Sequence, residues 1–264
     1  RIEPNPAGAW LQLPNGPVPM PKTGILGIPG DLDADELRDV LSEAGYQRAL
    51  QDRDLSTDDW LKRSRQLGGA RASVAELVLD RMGDEVLDLL VTPVVAGVHS
   101  ADPDTLDLES VAPGLLTSML EEGSLSAGVK KLRLAAQAAK GGNGKPGSAV
   151  AGIYGGMNKL SSALEEALRE AEVELHSDAP IVRIEADTPY ELHSHTDQFT
   201  ADRIVIATDG PTAVDLLAPL NEVFDQFRPP TGAGVALVSL VVDHEELDDN
   251  PRGTGALVSP LVKN

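Results

Sequence analysis

The chain has 264 residues, 41% hydrophobic and 24% charged, enough to bury a sizeable core in one large or two smaller domains. Forty-two acidic against 22 basic residues give a formal net charge of −20, a field that repels phosphate backbones and anionic lipid heads and argues against nucleic-acid binding and polybasic membrane attachment. There is no cysteine, which removes disulfides, thiolate metal sites and cysteine nucleophiles, and no apolar run approaches the roughly 18 residues that span a bilayer.

Residues 1–30 are dense in proline and glycine, which favour turns and short edge strands. Asn15-Gly16 between Trp10–Leu13 and Val18–Met20 predicts a hairpin turn. Leu37, Val40, Leu41 and Ala44 recur at helical spacing in an acidic stretch and predict an exposed amphipathic helix. Ser73 with Glu76 is a capping-box pattern, so a helix should start there and stop near Gly83. Asp84 should cap a second helix burying Val86, Leu89, Leu90 and Val94, with Pro93 kinking or ending it and Gly97 following in a turn.

Residues 124–140 are helical in composition and locally basic, and the glycine-rich stretch 141–148 reads as a flexible linker. Leu160, Ala163, Leu164, Ala167, Leu168 and Ala171 follow helical spacing without a miss. Val173–His176, Ile181–Ala186, Tyr190–His193 and Ile204–Ala207 read as short strands, and Ala213–Leu217 as a turn of helix. Val235–Val242 is apolar at nearly every position, as expected of a strand buried on both faces. The missing initiator methionine and the abrupt end at Asn264 suggest a piece of a longer protein.

His193 and His195 lie on one face of a strand, with His176 on a possible neighbour. Their surroundings are polar and offer no obvious third carboxylate, so no metal site is expected. Gly144-Lys145-Pro146 resembles the end of a phosphate-binding loop, but proline stands where Ser or Thr must hold Mg²⁺. Gly232-Ala233-Gly234 leads into a predicted strand and lacks the third glycine of a dinucleotide fingerprint. No nucleophile elbow or Ser/His/Asp grouping stands out, and no catalytic residue is assigned.

Residues 83–108, from Gly83-Asp84-Glu85-Val86 through Gly97-Val98-His99 to Leu108, resemble the signature segment of the protoporphyrinogen and coproporphyrinogen oxidases. Pro19-Met20-Pro21 with Gly27–Gly30, Gly155–Leu164, and Arg203–Pro211 match the same family in the same order. The resemblance covers about residues 10–262 and points to the bacterial coproporphyrinogen III oxidase type. It implies a mixed α/β (α+β) fold of the flavin amine oxidase type: a substrate-binding sheet from 1–30 and 226–264, a helical lobe at 31–150, and a returning part of a Rossmann-type FAD domain at 151–225. The family's two main flavin-binding segments lie before and after this region, so the resemblance implies FAD in the full-length parent, not retained by this stretch, which is expected to be inactive alone.

The implied reaction removes six hydrogens from a porphyrinogen in three two-electron rounds, with FAD taking hydride and O₂ reoxidising it. By the resemblance, Gly97 approaches the macrocycle, Thr254, Gly255 and Leu257 belong to the strand that sandwiches it, and the Ile181 backbone meets the flavin adenine. Ala9 stands where relatives carry a basic residue that holds a propionate. The implied partners are the tetrapyrrole and O₂, with a weak homodimer, and the implied location is cytoplasmic or peripheral to a membrane. Related flavin amine oxidases or carotenoid desaturases, or a non-catalytic tetrapyrrole-binding relative, are the alternatives.

Overall fold

A computed structural model describes residues 8–22, 24–66, 72–139, 152–187, 189–229, 232, 234–248 and 255–262. The chain divides into two compact units, residues 1–152 with 235–264, and residues 153–234. The predicted glycine-rich linker at 141–148 lies outside the described residues.

In the first unit, Trp10–Leu13 (β1) and Gly16–Pro19 (β2) pair antiparallel. The two-residue turn is Pro14-Asn15, one residue earlier than the sequence suggests, because Gly16 already pairs with Leu13. Gly24–Ile25 (β3) and Ile28–Pro29 (β4) form a second tight hairpin. The single helix predicted through Leu37–Ala44 is broken. Asp35–Leu37 is one turn of 3₁₀ helix, and Glu43–Leu50 (α1) starts anew behind Ser42, whose Oγ accepts the Gly45 N–H. Ser42 is itself fixed, its N–H and Oγ both donating to the Glu85 carboxylate at 2.8 and 2.5 Å.

Asp58–Gln66 (α2) precedes Val74–Met82 (α3), which begins at the predicted cap, the Glu76 N–H donating to Ser73 Oγ at 3.1 Å. It stops at Gly83, where φ is +90°. Asp84–Val86 (α4), a π-helical segment Leu87–Val91 and Thr92–His99 (α5) then run on in succession. Pro93 does not end this run. It has no N–H for the Leu89 carbonyl, and the chain absorbs that loss in a wider turn in which the Thr92 N–H reaches the Leu87 carbonyl. Leu108–Val111 (α6), Leu115–Glu122 (α7) and Leu125–Ala139 (α8) complete the helical part.

These elements share one core, in which Leu11, Ile28, Leu37, Leu77, Leu90, Leu115, Met119 and Leu125 are fully buried. Inside it lies an ion pair. Arg81 donates to the Asp52 carboxylate at 2.8 Å and to the carbonyls of Asp52, Leu55 and Ser56. Asp52 also accepts the Leu125 and Ser126 N–H groups and the Ser126 hydroxyl, and so caps α8. Both side chains are fully buried and multiply hydrogen-bonded, the condition under which a buried charge pair is tolerated.

In the second unit, Asn158–Glu170 (α9) is the predicted amphipathic helix, but none of its residues is buried, and Leu160, Leu164 and Leu168 remain about half exposed. Arg183–Glu185 (β5), Tyr190–His193 (β6) and Gln198–Ala201 (β7) form an antiparallel meander, and Gly210–Leu217 (α10) lies against β5. Val173–His176 and Ile204–Ala207 are not strands. Neither is Val235–Val242, which precedes the short Glu245–Asp248 (α11) and is largely solvent-exposed. An apolar run becomes a buried strand only with hydrogen-bonded neighbours, and no described strand pairs with these three.

Candidate functional site

Ala256–Val258 (β8) returns from the far end of the chain to pair parallel with β1, giving the sheet order β2-β1-β8. The register sets Trp10 against Ala256, Leu11 against Leu257 and Gln12 against Val258. The Trp10 N–H donates to the Gly255 carbonyl and the Ser259 N–H to the Gln12 carbonyl, both at 2.9 Å. Paired residues share a face, so Leu257 stands on the same side as the fully buried Leu11 and packs against the core.

Gly97 meets Leu257 there. It lies inside the last turns of α5, not in a turn after the helix, because the π segment carries the helix past Pro93 and the left-handed Ser100 closes it. A Cβ on Gly97 would stand 3.5 Å from Leu257 Cγ and nearer still to Cδ2. Two of the predicted substrate residues, 160 positions apart, are therefore in contact. Gly255 is fixed by its carbonyl bond to Trp10, and Thr254 lies outside the described residues.

The neighbourhood carries few perturbed groups. On the same helical run, Asp88 is pushed above the ordinary carboxylate value by desolvation and by the nearby Asp84. Ala9 accepts the Met20 N–H at 3.0 Å. Just beyond β2, Lys22 reaches back so that its Cε lies 3.9 Å from where a Cβ on Gly8 would stand, with its carbonyl held by the Arg133 guanidinium. A cation thus lies beside the Gly8-Ala9 segment although Ala9 is not basic. Sequence spacing gave no hint of this, because the approach depends on the β1–β2 hairpin folding back.

The family model for flavin-containing amine oxidoreductases matches residues 8–259. The chain belongs to that family. Coproporphyrinogen III oxidase of Staphylococcus aureus is 24% identical over 95% of this chain and 53% of its own length. Protoporphyrinogen oxidase 2 of Arabidopsis thaliana is 32% identical over 45% of this chain and 25% of its own. A solved structure from Exiguobacterium sp. 255-15, named "Putative protoporphyrinogen oxidase", superposes with a TM-score of 0.59 at 23% identity, covering 82% of this chain and 44% of that one. The fold is the mixed helix and sheet arrangement of the flavin amine oxidase type. The chain spans about half the length of the coproporphyrinogen oxidases it matches, and among the described residues no helix is long and apolar enough to cross a membrane.

Family membership brings a flavin into question, and Ile181 tests the fit. It precedes β5, where the Val182 N–H already donates to the His193 carbonyl at 2.8 Å. Among the described residues, the N–H and C=O of Ile181 have no hydrogen-bond partner. The histidines sort differently from the sequence reading. His195 is exposed in the β6–β7 turn, and His176 packs its ring on Phe199 with centroids 4.7 Å apart. His193 is accompanied by two carboxylates, Glu185 and Glu191. The expected lack of a further carboxylate is thus corrected: strand pairing brings in Glu185 from eight residues away.

Proposed function

We propose that this sequence is the central region of an FAD-dependent porphyrinogen oxidase whose substrate is coproporphyrinogen III and whose electron acceptor is O₂. The observation that carries the reading is the match to the S. aureus coproporphyrinogen III oxidase along 95% of this chain, whereas the plant protoporphyrinogen oxidase matches less than half. When bound, the flavin supplies a two-electron acceptor for each oxidation round.

The protein's own task is to hold a large planar macrocycle, which suits a wall of aliphatic and backbone groups. Leu257, Gly255 and Gly97 form that wall in this reading, with Thr254 assigned to it by the family resemblance alone, and Lys22 stands in for a basic residue at Ala9 as the partner of a substrate carboxylate. Ile181 offers its main chain to the adenine. Residues 1–30 and 226–264 form the substrate sheet, 31–150 the helical lobe and 151–225 the returning flavin segment.

The test is aerobic turnover by the protein that carries this sequence with its flanking flavin segments. Porphyrin fluorescence should rise well above autoxidation with coproporphyrinogen III, and faster than with protoporphyrinogen IX. Amine oxidation with neither porphyrinogen consumed would overturn the reading. The 264-residue chain alone should lose added FAD on desalting, and flavin absorbance that survives the column would place the main flavin clasp within it.

A further inference from the structure

The β5–β6–β7 meander has two unlike faces. Its register pairs Ile184 with Leu192 and Leu192 with Phe199, an apolar row, while Arg183, Glu185, Glu191, His193, Gln198 and Thr200 share the other face. On that polar face Glu185 and Glu191 stand directly opposite each other. Like charges in a cross-strand pair repel and call for a cation between them. Arg183 bonds Glu185, but Glu191 is met by the neutral Gln198 amide at 2.7 Å.

His193 Nε2 lies between the two carboxylates, 3.5 Å from Glu185 Oε1 and 3.8 Å from Glu191 Oε2. The atom is buried and has no hydrogen-bond partner, an arrangement that native proteins rarely leave uncompensated. A tetrahedral zinc ion with bonds of about 2.0–2.2 Å sets its ligands roughly 3.3–3.6 Å apart. The three donor atoms all lie within 4.8 Å of one another, so small side-chain movements bring them to that spacing.

We propose that Glu185, Glu191 and His193 form a site for one divalent first-row metal ion, with zinc favoured by the nitrogen and oxygen donor set. The ion would neutralise the facing carboxylates and give Nε2 its partner, leaving a fourth position for water. Gln198 would orient Glu191 from outside the ligand set. Arg183 competes for the same Glu185 oxygen, and its side chain, more than half exposed, has room to swing into solvent when the ion enters. The site is independent of the porphyrinogen reading, because none of its residues belongs to the proposed substrate wall.

Zinc chloride titrated into the intact chain at neutral pH, followed by calorimetry and by competition with a chromogenic chelator, should show one equivalent bound. Cobalt(II) should give the intense visible bands of tetrahedral coordination. His193→Ala and Glu191→Gln should weaken binding by more than the roughly 10–100-fold typical of losing an outer partner, while far-ultraviolet dichroism shows the fold retained. Arg183→Gln should tighten binding, and His195→Ala should leave it unchanged. Absence of stoichiometric zinc would overturn the proposal. Binding that survives His193→Ala would overturn it equally.

Discussion

Leu257 sits on Gly97, so that a Cβ added to the glycine would meet the leucine's Cδ2 closer than real side chains approach. The contact joins the last turns of α5 to β8 and ties the signature helix to the end of the chain. Because the clashing atom is the tip of a flexible side chain, Gly97→Ala should be nearly neutral. A helix-interior gain of about 0.5–1 kcal/mol offsets the repacking of Leu257.

Gly97→Leu should cost about 1–3 kcal/mol by overpacking, and Leu257→Ala in the same chain should recover a good part of it. Urea denaturation of the two single variants and the double variant measures the coupling. Strict additivity would mean that the two residues do not touch. On the proposed function, the same Gly97→Leu change in a flavin-loaded protein that carries this region should depress porphyrinogen turnover while flavin content stays the same.

The buried pair between Asp52 and Arg81 predicts a different outcome. Asp52→Ala strands a fully buried guanidinium and removes the acceptor that caps α8, so it should destabilise the first unit by about 3–5 kcal/mol. Replacing both residues with apolar ones of similar volume should cost clearly less than either single change, since no charge is then left unpaired. Chemical denaturation monitored at Trp60 would register both, and a mild effect of Asp52→Ala alone would contradict the arrangement.

What the sequence made legible was mostly local. The Ser73 cap, the stop at Gly83, α8 and the strands β5 and β6 follow from residue type within a few positions, whereas β7 at Gln198–Ala201 is absent from the sequence expectation. The helix through Leu37–Ala44 was misread because Ser42 is fixed by Glu85, 43 residues away. Pro93 looked like an ending because the wider π turn that accommodates it leaves no mark in spacing. Val235–Val242 has the composition of a doubly buried strand, but composition cannot supply the neighbours that a strand needs. At the candidate site, Gly97 and Leu257 were reached through family resemblance, and their contact is visible only in three dimensions. The Glu185–His193 approach and the return of Lys22 toward Gly8 likewise depend on register and hairpin geometry.

Acid should weaken the protein in part through Glu76. The Arg63 guanidinium hydrogen-bonded to it holds its carboxyl below the ordinary value, despite some opposing desolvation. A lowered folded-state pKa means that the stabilisation is fully present above the unfolded value near 4.5. It is lost as pH falls through the lower folded value. Both side chains are more than a third exposed, so solvent screening limits the contribution to under about 1 kcal/mol. Glu76→Gln should therefore lower the urea midpoint slightly at pH 7, with the difference from the parent closing as pH falls below the unfolded value of 4.5 and through the lower folded one. A difference that persisted at low pH would assign the effect to packing.

Gly27 gives the sharpest prediction about what holds the signature helix in place. The β3–β4 hairpin turns through Leu26 and Gly27, with φ of +53° and +85°. It drives Gly27 against the π segment, where a Cβ would overlap the Leu90 carbonyl oxygen and lie 2.7 Å from its carbon and 3.0 Å from Val91 Cα. These are main-chain atoms and cannot rotate away. Gly27→Ala combines left-handed strain of about 1–2 kcal/mol with a steric cost of about 1–3 kcal/mol, and should destabilise by roughly 2–5 kcal/mol. Gly16→Ala is the control, since Gly16 also has positive φ but nothing lies within 4 Å of its Cβ position, so it should pay the conformational part alone. Equal urea midpoints for the two variants would show that the hairpin does not press on Leu90. A much larger loss at Gly27 would show that β3–β4 braces the run from Asp84 to His99, and with it the position of Gly97 beneath Leu257.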